Sequence, residues 1–266
     1  MSIWWAVVCL AIFLIGVTKS GFGAGAAFII APLTAIGMRH VDPRGGGQAT
    51  LPLLLPLLMV GDLIAIWQYR RQFSMRIIGR LAVGTLIGIA AGTALLSWFM
   101  SRKDLSAALI NLVIGLESVI LVSLQWYRQW RATHGVPQYR PSIGKSTAVG
   151  AFAGLSSTLA HAAGPIVALH LLPQRLERGV FVGTCAVYFF LVNSAKLPGY
   201  YQAGLFNEIS PAFALRFVPL VLAGAVFGFW VNRRIHDTLF TTWVYAITFV
   251  LGWYILFRGI EGLTRA

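Results

Sequence analysis

Two short stretches of this 266-residue sequence bring cationic, hydroxyl and glycine residues together inside apolar surroundings. The first reads Thr18-Lys-Ser-Gly-Phe-Gly-Ala-Gly25 and the second Thr158-Leu-Ala-His-Ala-Ala-Gly-Pro165. Gly21, Gly23 and Gly25 let the backbone come close to a ligand, and Gly164 with Pro165 offers the same kind of break. A helix that starts at such a break presents unpaired N–H groups and the positive end of its dipole, which suits an anion. Lys19 adds a cation at the first break with Ser20 beside it. His161 stands in the second as a hydrogen-bond partner or proton carrier. Thr50, Thr184 and Asn193 are neutral donors further along, Gln48 is another, and Lys196 is a second cation. Asp62 is the candidate for carrying a coupling proton, because ionisable groups inside a membrane are costly and default to function.

Each of these residues also has a plainer reading. Small residues let helices pack closely, and Thr or Asn hydrogen bonds join helices at about 0.6–2 kcal/mol each. His161 and the weaker candidate His170 suit a satisfied core. Lys196 can instead snorkel to the outer interface, and Lys19 can sit at a cytoplasm-facing hairpin tip. Arg80 and Arg216 each precede a Gly-x-x-x-Gly pattern by eight residues, which fits an ion pair or a lipid headgroup better than substrate. No nucleophile–base pair, metal-ligand spacing or phosphate loop stands out, so no catalytic residue, metal or cofactor is assigned. Cys9 and Cys185 lie in apolar runs that argue neither a disulfide nor a zinc site.

The elements that must position these residues follow from composition. Hydrophobic residues make up 58% and charged ones 11%, against about 25% charged in an ordinary globular protein. Mean hydropathy is +0.76. A soluble fold needs a polar shell this chain cannot supply, so it reads as an all-α integral membrane protein. The net charge of +13 raises nucleic acid as a partner, but no polar basic domain is present to bind it. The start, Met1-Ser-Ile-Trp-Trp5, has no basic segment or cleavage site and is not read as a cleaved signal. Full-length spans are predicted at 48–68, 76–100, 106–126, 180–198, 211–231 and 238–257. The stretches 3–38 and 146–173, which contain the two breaks, are too long for one span and short for two. They are read as re-entrant helical hairpins.

That arrangement puts the loops at 69–76, 127–145, 174–178 and 232–237 on one side, with eleven Lys and Arg. The other side has six, so the first set is placed in the cytoplasm. The remaining four are Lys19, Arg80, Lys196 and Arg216.

An internal repeat runs through the chain. Arg80, Gly88 and Gly92 recur as Arg216, Gly224 and Gly228 at a displacement of 136. Thr50 and Asp62 match Thr184 and Lys196 at 134, and Gly23 and Pro32 match Gly164 and Pro173 at 141. Residues 1–126 form the first transmembrane repeat, 127–145 a cytoplasmic linker and 146–266 the second repeat. An odd number of crossings inverts the copies, a secondary-transporter architecture with its site between broken helices.

These residues resemble a known family. The glycine-rich first hairpin ending in Ala31-Pro32 is similar to the first-repeat signature of the sulfite-exporter TauE/SafE family. Thr158–Pro165, followed by Leu171-Leu-Pro173, Phe181-Val-Gly-Thr184 and Asn193-Ser-Ala-Lys-Leu-Pro198, is similar to its second-repeat signature. The chain departs from it at Gly23-Ala-Gly-Ala26, where many members carry a run of glycines. The resemblance covers about residues 10 to 257. It implies a non-enzymatic, multi-pass transporter of the inner (plasma) membrane for small sulfur-containing or organic anions, such as sulfite or sulfonates. The rivals are an uncoupled anion channel of the same architecture, a membrane-embedded enzyme using His161 or His170, and a non-transporting assembly subunit. The partners expected are a small anion and the lipid bilayer, with no nucleic acid.

Overall fold

The computed structural model describes residues 3–22, 29–41, 46–102, 104–132, 141–231 and 237–264; Gly23 and Gly25 lie outside them. Every regular element among the described residues is helical. The first hairpin begins with α1 (Ile3–Val17), tightens into a π turn at Thr18–Phe22 that holds Lys19, Ser20 and Gly21, and returns as α2 (Ile30–Val41). The Trp4 ring stacks on His40 with centroids 3.6 Å apart, so the end of α2 meets the start of α1. At 1.5 Å per residue, the 12 residues of α2 extend about 18 Å, short of the roughly 30 Å of a hydrocarbon core.

The second hairpin is α6 (Ile143–Ala160) followed by α7 (Ala163–Leu171). Ser142 starts it by accepting the Lys145 N–H on its Oγ at 3.4 Å. It breaks at His161, whose φ of 54° puts a non-glycine residue in the left-handed region. Ser146 Oγ and His170 Nε2 lie 3.2 Å apart and join the start of α6 to the end of α7. His170 is thus a clasp of the hairpin's outer ends.

Between and after the hairpins run α3 (Gly46–Gln68), α4 (Met75–Ser101), α5 (Ser106–Ala132), α8 (Arg178–Gln202), α9 (Pro211–Leu215), α10 (Val218–Val231) and α11 (Asp237–Thr264). Among the described residues six helical stretches are long and apolar enough to cross a membrane: Ile3–Ser20, Gln48–Gln68, Met75–Ser101, Ser106–Trp130, Arg178–Gln202 and Thr242–Thr264. The chain is therefore a multi-pass membrane protein. One expected span is corrected. The run 211–231 is not a single helix but α9 and α10 with a turn at Arg216 and Phe217. Pro219 has no N–H to give the Leu215 carbonyl, and its ring crowds that carbonyl, so the helix breaks just before it. Ser210 and Pro211 start α9, the Ser210 Oγ accepting the Phe213 N–H at 3.2 Å. Arg80 and Arg216 are both exposed and join no ion pair among the described residues.

Two close helix contacts bind the hairpins to the rest. A Cβ on Gly84 or Gly88 of α4 would overlap the carbonyl oxygen of Thr147 or Ala151 on α6. A Cβ on Gly224 of α10 would likewise overlap the Phe13 carbonyl of α1. Lipid is as apolar as leucine, so such backbone approach, rather than apolar burial, holds membrane helices together. Val83, Leu86 and Ile87 of α4 point outward, as lipid-facing side chains do. The centre of the bundle is α3, where Leu51, Leu53, Leu54, Leu55 and Leu57 are fully buried. A polar group on α3 has to find its partners within the protein. Asp62 is such a group.

Candidate functional site

Asp62 is fully buried on α3 and binds two donors that come from opposite halves of the chain. Its Oδ1 forms an ion pair with Lys19 Nζ, from the π turn of the first hairpin. Its Oδ2 accepts from Asn193 Nδ2 on α8 at 2.9 Å. The Lys19 ammonium also lies 4.8 Å from the centre of the Phe189 ring, so its charge has one anionic and one aromatic neighbour. Lys19 is accordingly held inside the bundle rather than at a cytoplasm-facing tip.

Lys196, on the same helix as Asn193, does different work. It is fully buried, which rules out snorkelling to an interface. Its Nζ donates to the Ser157 carbonyl at 2.9 Å, to Ser157 Oγ at 2.9 Å and to His161 Nδ1 at 3.1 Å. Four residues on, Tyr200 Oη donates to the Thr158 carbonyl at 2.7 Å. The last carbonyls of a helix have no partner within it, and they carry the negative end of its dipole. Thus α8 supplies a cation and a hydroxyl, one turn apart, to close the inner end of α6. His161 completes the join. The Leu51 carbonyl can only accept, so His161 Nε2 carries the hydrogen that reaches it at 3.0 Å, and Nδ1 is free to accept from Lys196. One imidazole therefore ties α3, α6 and α8 at the break.

A cavity opens between these groups. Lys19, Asp62, Asn193, Ser157 and His161 form its polar wall, and Leu58, Val182 and Phe189 part of its apolar one. The N-terminal residues of both short hairpin arms border it, Ile30 and Ala31 from α2 and Ala163 and Gly164 from α7. First-turn N–H groups have no partner in their own helix, and both dipoles direct their positive ends here. Pro165, the third residue of α7, lacks an N–H where none is needed. A smaller cavity lies against the same Ala31, His161 and Gly164, and is closed by Pro165, Ile114 and Ser118. Among the described residues no cluster of His, Cys, Asp or Glu fits a metal ion.

The model of a protein family described as sulfite exporter TauE/SafE matches residues 8–255. The chain belongs to the TauE/SafE family. No curated protein and no solved structure gives a match. As a TauE/SafE chain it is a multi-pass membrane protein of a sulfite-exporter family, in keeping with its six apolar spanning stretches.

Within this TauE/SafE chain the residues singled out from sequence divide into those that meet and those that do not. Lys19, Asp62, His161, Gly164 and Asn193 share the cavity, Pro165 lies just behind it, and Lys196 supports it from α8. Ser20 turns back on its own helix, donating to the Gly16 carbonyl at 2.8 Å. Thr184 Oγ1 accepts the Ser74 N–H at 2.9 Å, near the 69–74 loop. Thr50 is buried on α3, next to the residue whose carbonyl His161 holds. Gln48 donates to Ser106 Oγ and links α3 to α5. Sequence reasoning passed over Ser157 and Tyr200. The signals were a Ser156-Ser157-Thr158 run within an apolar helix and a tyrosine one turn after a buried lysine.

Proposed function

We propose that this protein carries small anions, sulfite and related sulfonates or organic anions, across the inner (plasma) membrane by alternating access between two inverted repeats. One observation carries the reading: a cavity that receives two helix N-termini together with Lys19 and Asn193, in a chain of a sulfite-exporter family. Fixed donors and dipoles in a low-dielectric setting favour an anion without rearranging around it.

Contacts between the halves support the repeat. Gly92 packs against Thr158 and Gly228 against Val17, the same contact once each partner is displaced by 136 or 141 residues. Gly115 and Gly252, 137 residues apart, pack against each other. Asp62 and Lys196, matched at 134, each reach the break of the hairpin in their own half. The two cavities, separated by Ala31, His161 and Gly164, fit a site opened first to one side and then to the other.

The test is flux of labelled sulfite or a sulfonate into vesicles holding purified protein. The expected result is saturable uptake that falls at least about tenfold in Lys19→Met, in line with the loss of one charge-assisted contact of about 1.5–3 kcal/mol. Uptake no faster than in protein-free vesicles for every anion tried would overturn the reading.

A further inference from the structure

Both oxygens of Asp62 are taken, one by Lys19 and one by Asn193. Among the described residues those two are also side-chain donors of the cavity wall that no other acceptor holds, beside the Ser157 hydroxyl: His161 Nε2 is on Leu51, and its Nδ1 accepts from Lys196. The Asp62 carboxylate thus lies on the donors that an incoming oxyanion would need, with the geometry of a bound anion. Other charged or titratable groups near it are Lys196 and Cys185 on α8 and His161 at the end of α6. No other element packed on α3 places a charged side chain against it among the described residues.

We propose that Asp62 is a tethered competitor of the anion, so that an anion engages Lys19 and Asn193 only as Asp62 takes up a proton. The proton comes from solvent and forms the O–H bond of the Asp62 carboxyl. Lys19 stays an ammonium and exchanges one negative partner for another. The site therefore takes one anion with one proton, and the added charge is balanced. This rests on the reading of the cavity as the anion site.

Methanesulfonate is the suitable probe, because its own charge does not change with pH and any pH dependence belongs to the protein. Binding to purified protein in detergent is measured by calorimetry between about pH 5 and about pH 9. Wild type should lose affinity by up to about tenfold per pH unit, as expected when one proton is bound with the ligand. Asp62→Asn should bind more tightly at the alkaline end, with a flat profile. Glu117→Gln, which removes the titratable carboxyl that accepts from Ser156 Oγ but leaves an amide oxygen able to accept in its place, should keep the wild-type slope. A flat wild-type profile overturns the competitor role while leaving the cavity as an anion site, and needs no variant to fold. Binding lost in Asp62→Asn at every pH, in protein that elutes as folded, also overturns it. No binding to wild type or variant at any pH overturns the anion-site reading itself.

Discussion

The Lys196 ammonium donates to the Ser157 carbonyl oxygen at 2.9 Å and so closes from α8 the inner end of α6. Because the same ammonium also serves Ser157 Oγ and His161 Nδ1, removing it takes the donor from those two acceptors, while the Ser157 carbonyl keeps only the His161 N–H at 3.2 Å. Lys196→Met should lower stability by about 2 kcal/mol or more, since a buried acceptor without a donor costs about 1–3 kcal/mol. Tyr200→Phe removes a single bond and should cost about 1 kcal/mol. Thermal unfolding in detergent reads both. An unchanged midpoint in Lys196→Met would sink the capping role.

Close backbone approach makes a second expectation. Gly88→Ala places a methyl on the Ala151 carbonyl and should destabilise by about 1–3 kcal/mol, as overpacking does. Gly79 lies on the same helix with nothing within 4 Å of its would-be Cβ, so Gly79→Ala should be neutral or stabilise by up to about 1 kcal/mol. Parallel thermal melts compare the two. Equal losses would mean that glycine in α4 matters for the helix itself and not for its contact with α6.

Much of this was readable from residue order because apolar length and glycine breaks are local properties. The helix breaks at Thr18 and at His161 follow from them, as does the meeting of Lys19, His161 and Gly164 at one cavity. Pairing is not local. Lys19 and Asp62 are 43 residues apart, and helical spacing tells which face each occupies but not which neighbour that face meets. Repeat symmetry also suggests more than the packing uses: Thr50 and Thr184 are matched, yet Thr184 lies at a loop because α8 begins only a turn and a half before it. The split of 211–231 was marked by Pro219 but masked by the hydrophobicity around it.

Orientation yields the third expectation. The 27 residues of α4 extend about 40 Å, more than a hydrocarbon core, so Arg70 before it and Asp104 after it lie on opposite faces. Loop 69–74 meets the start of α8 through the Ser74–Thr184 bond, which puts Arg70 with Arg175 and Arg178 on the more basic face. The positive-inside rule assigns that face to the cytoplasm. In a background with Cys9→Ala and Cys185→Ala, an impermeant maleimide added to intact cells should label Asp104→Cys and spare Arg70→Cys. Broken cells should label both, since both positions are exposed. The opposite pattern would reverse the orientation. Labelling of both in intact cells would contradict a membrane-crossing α4.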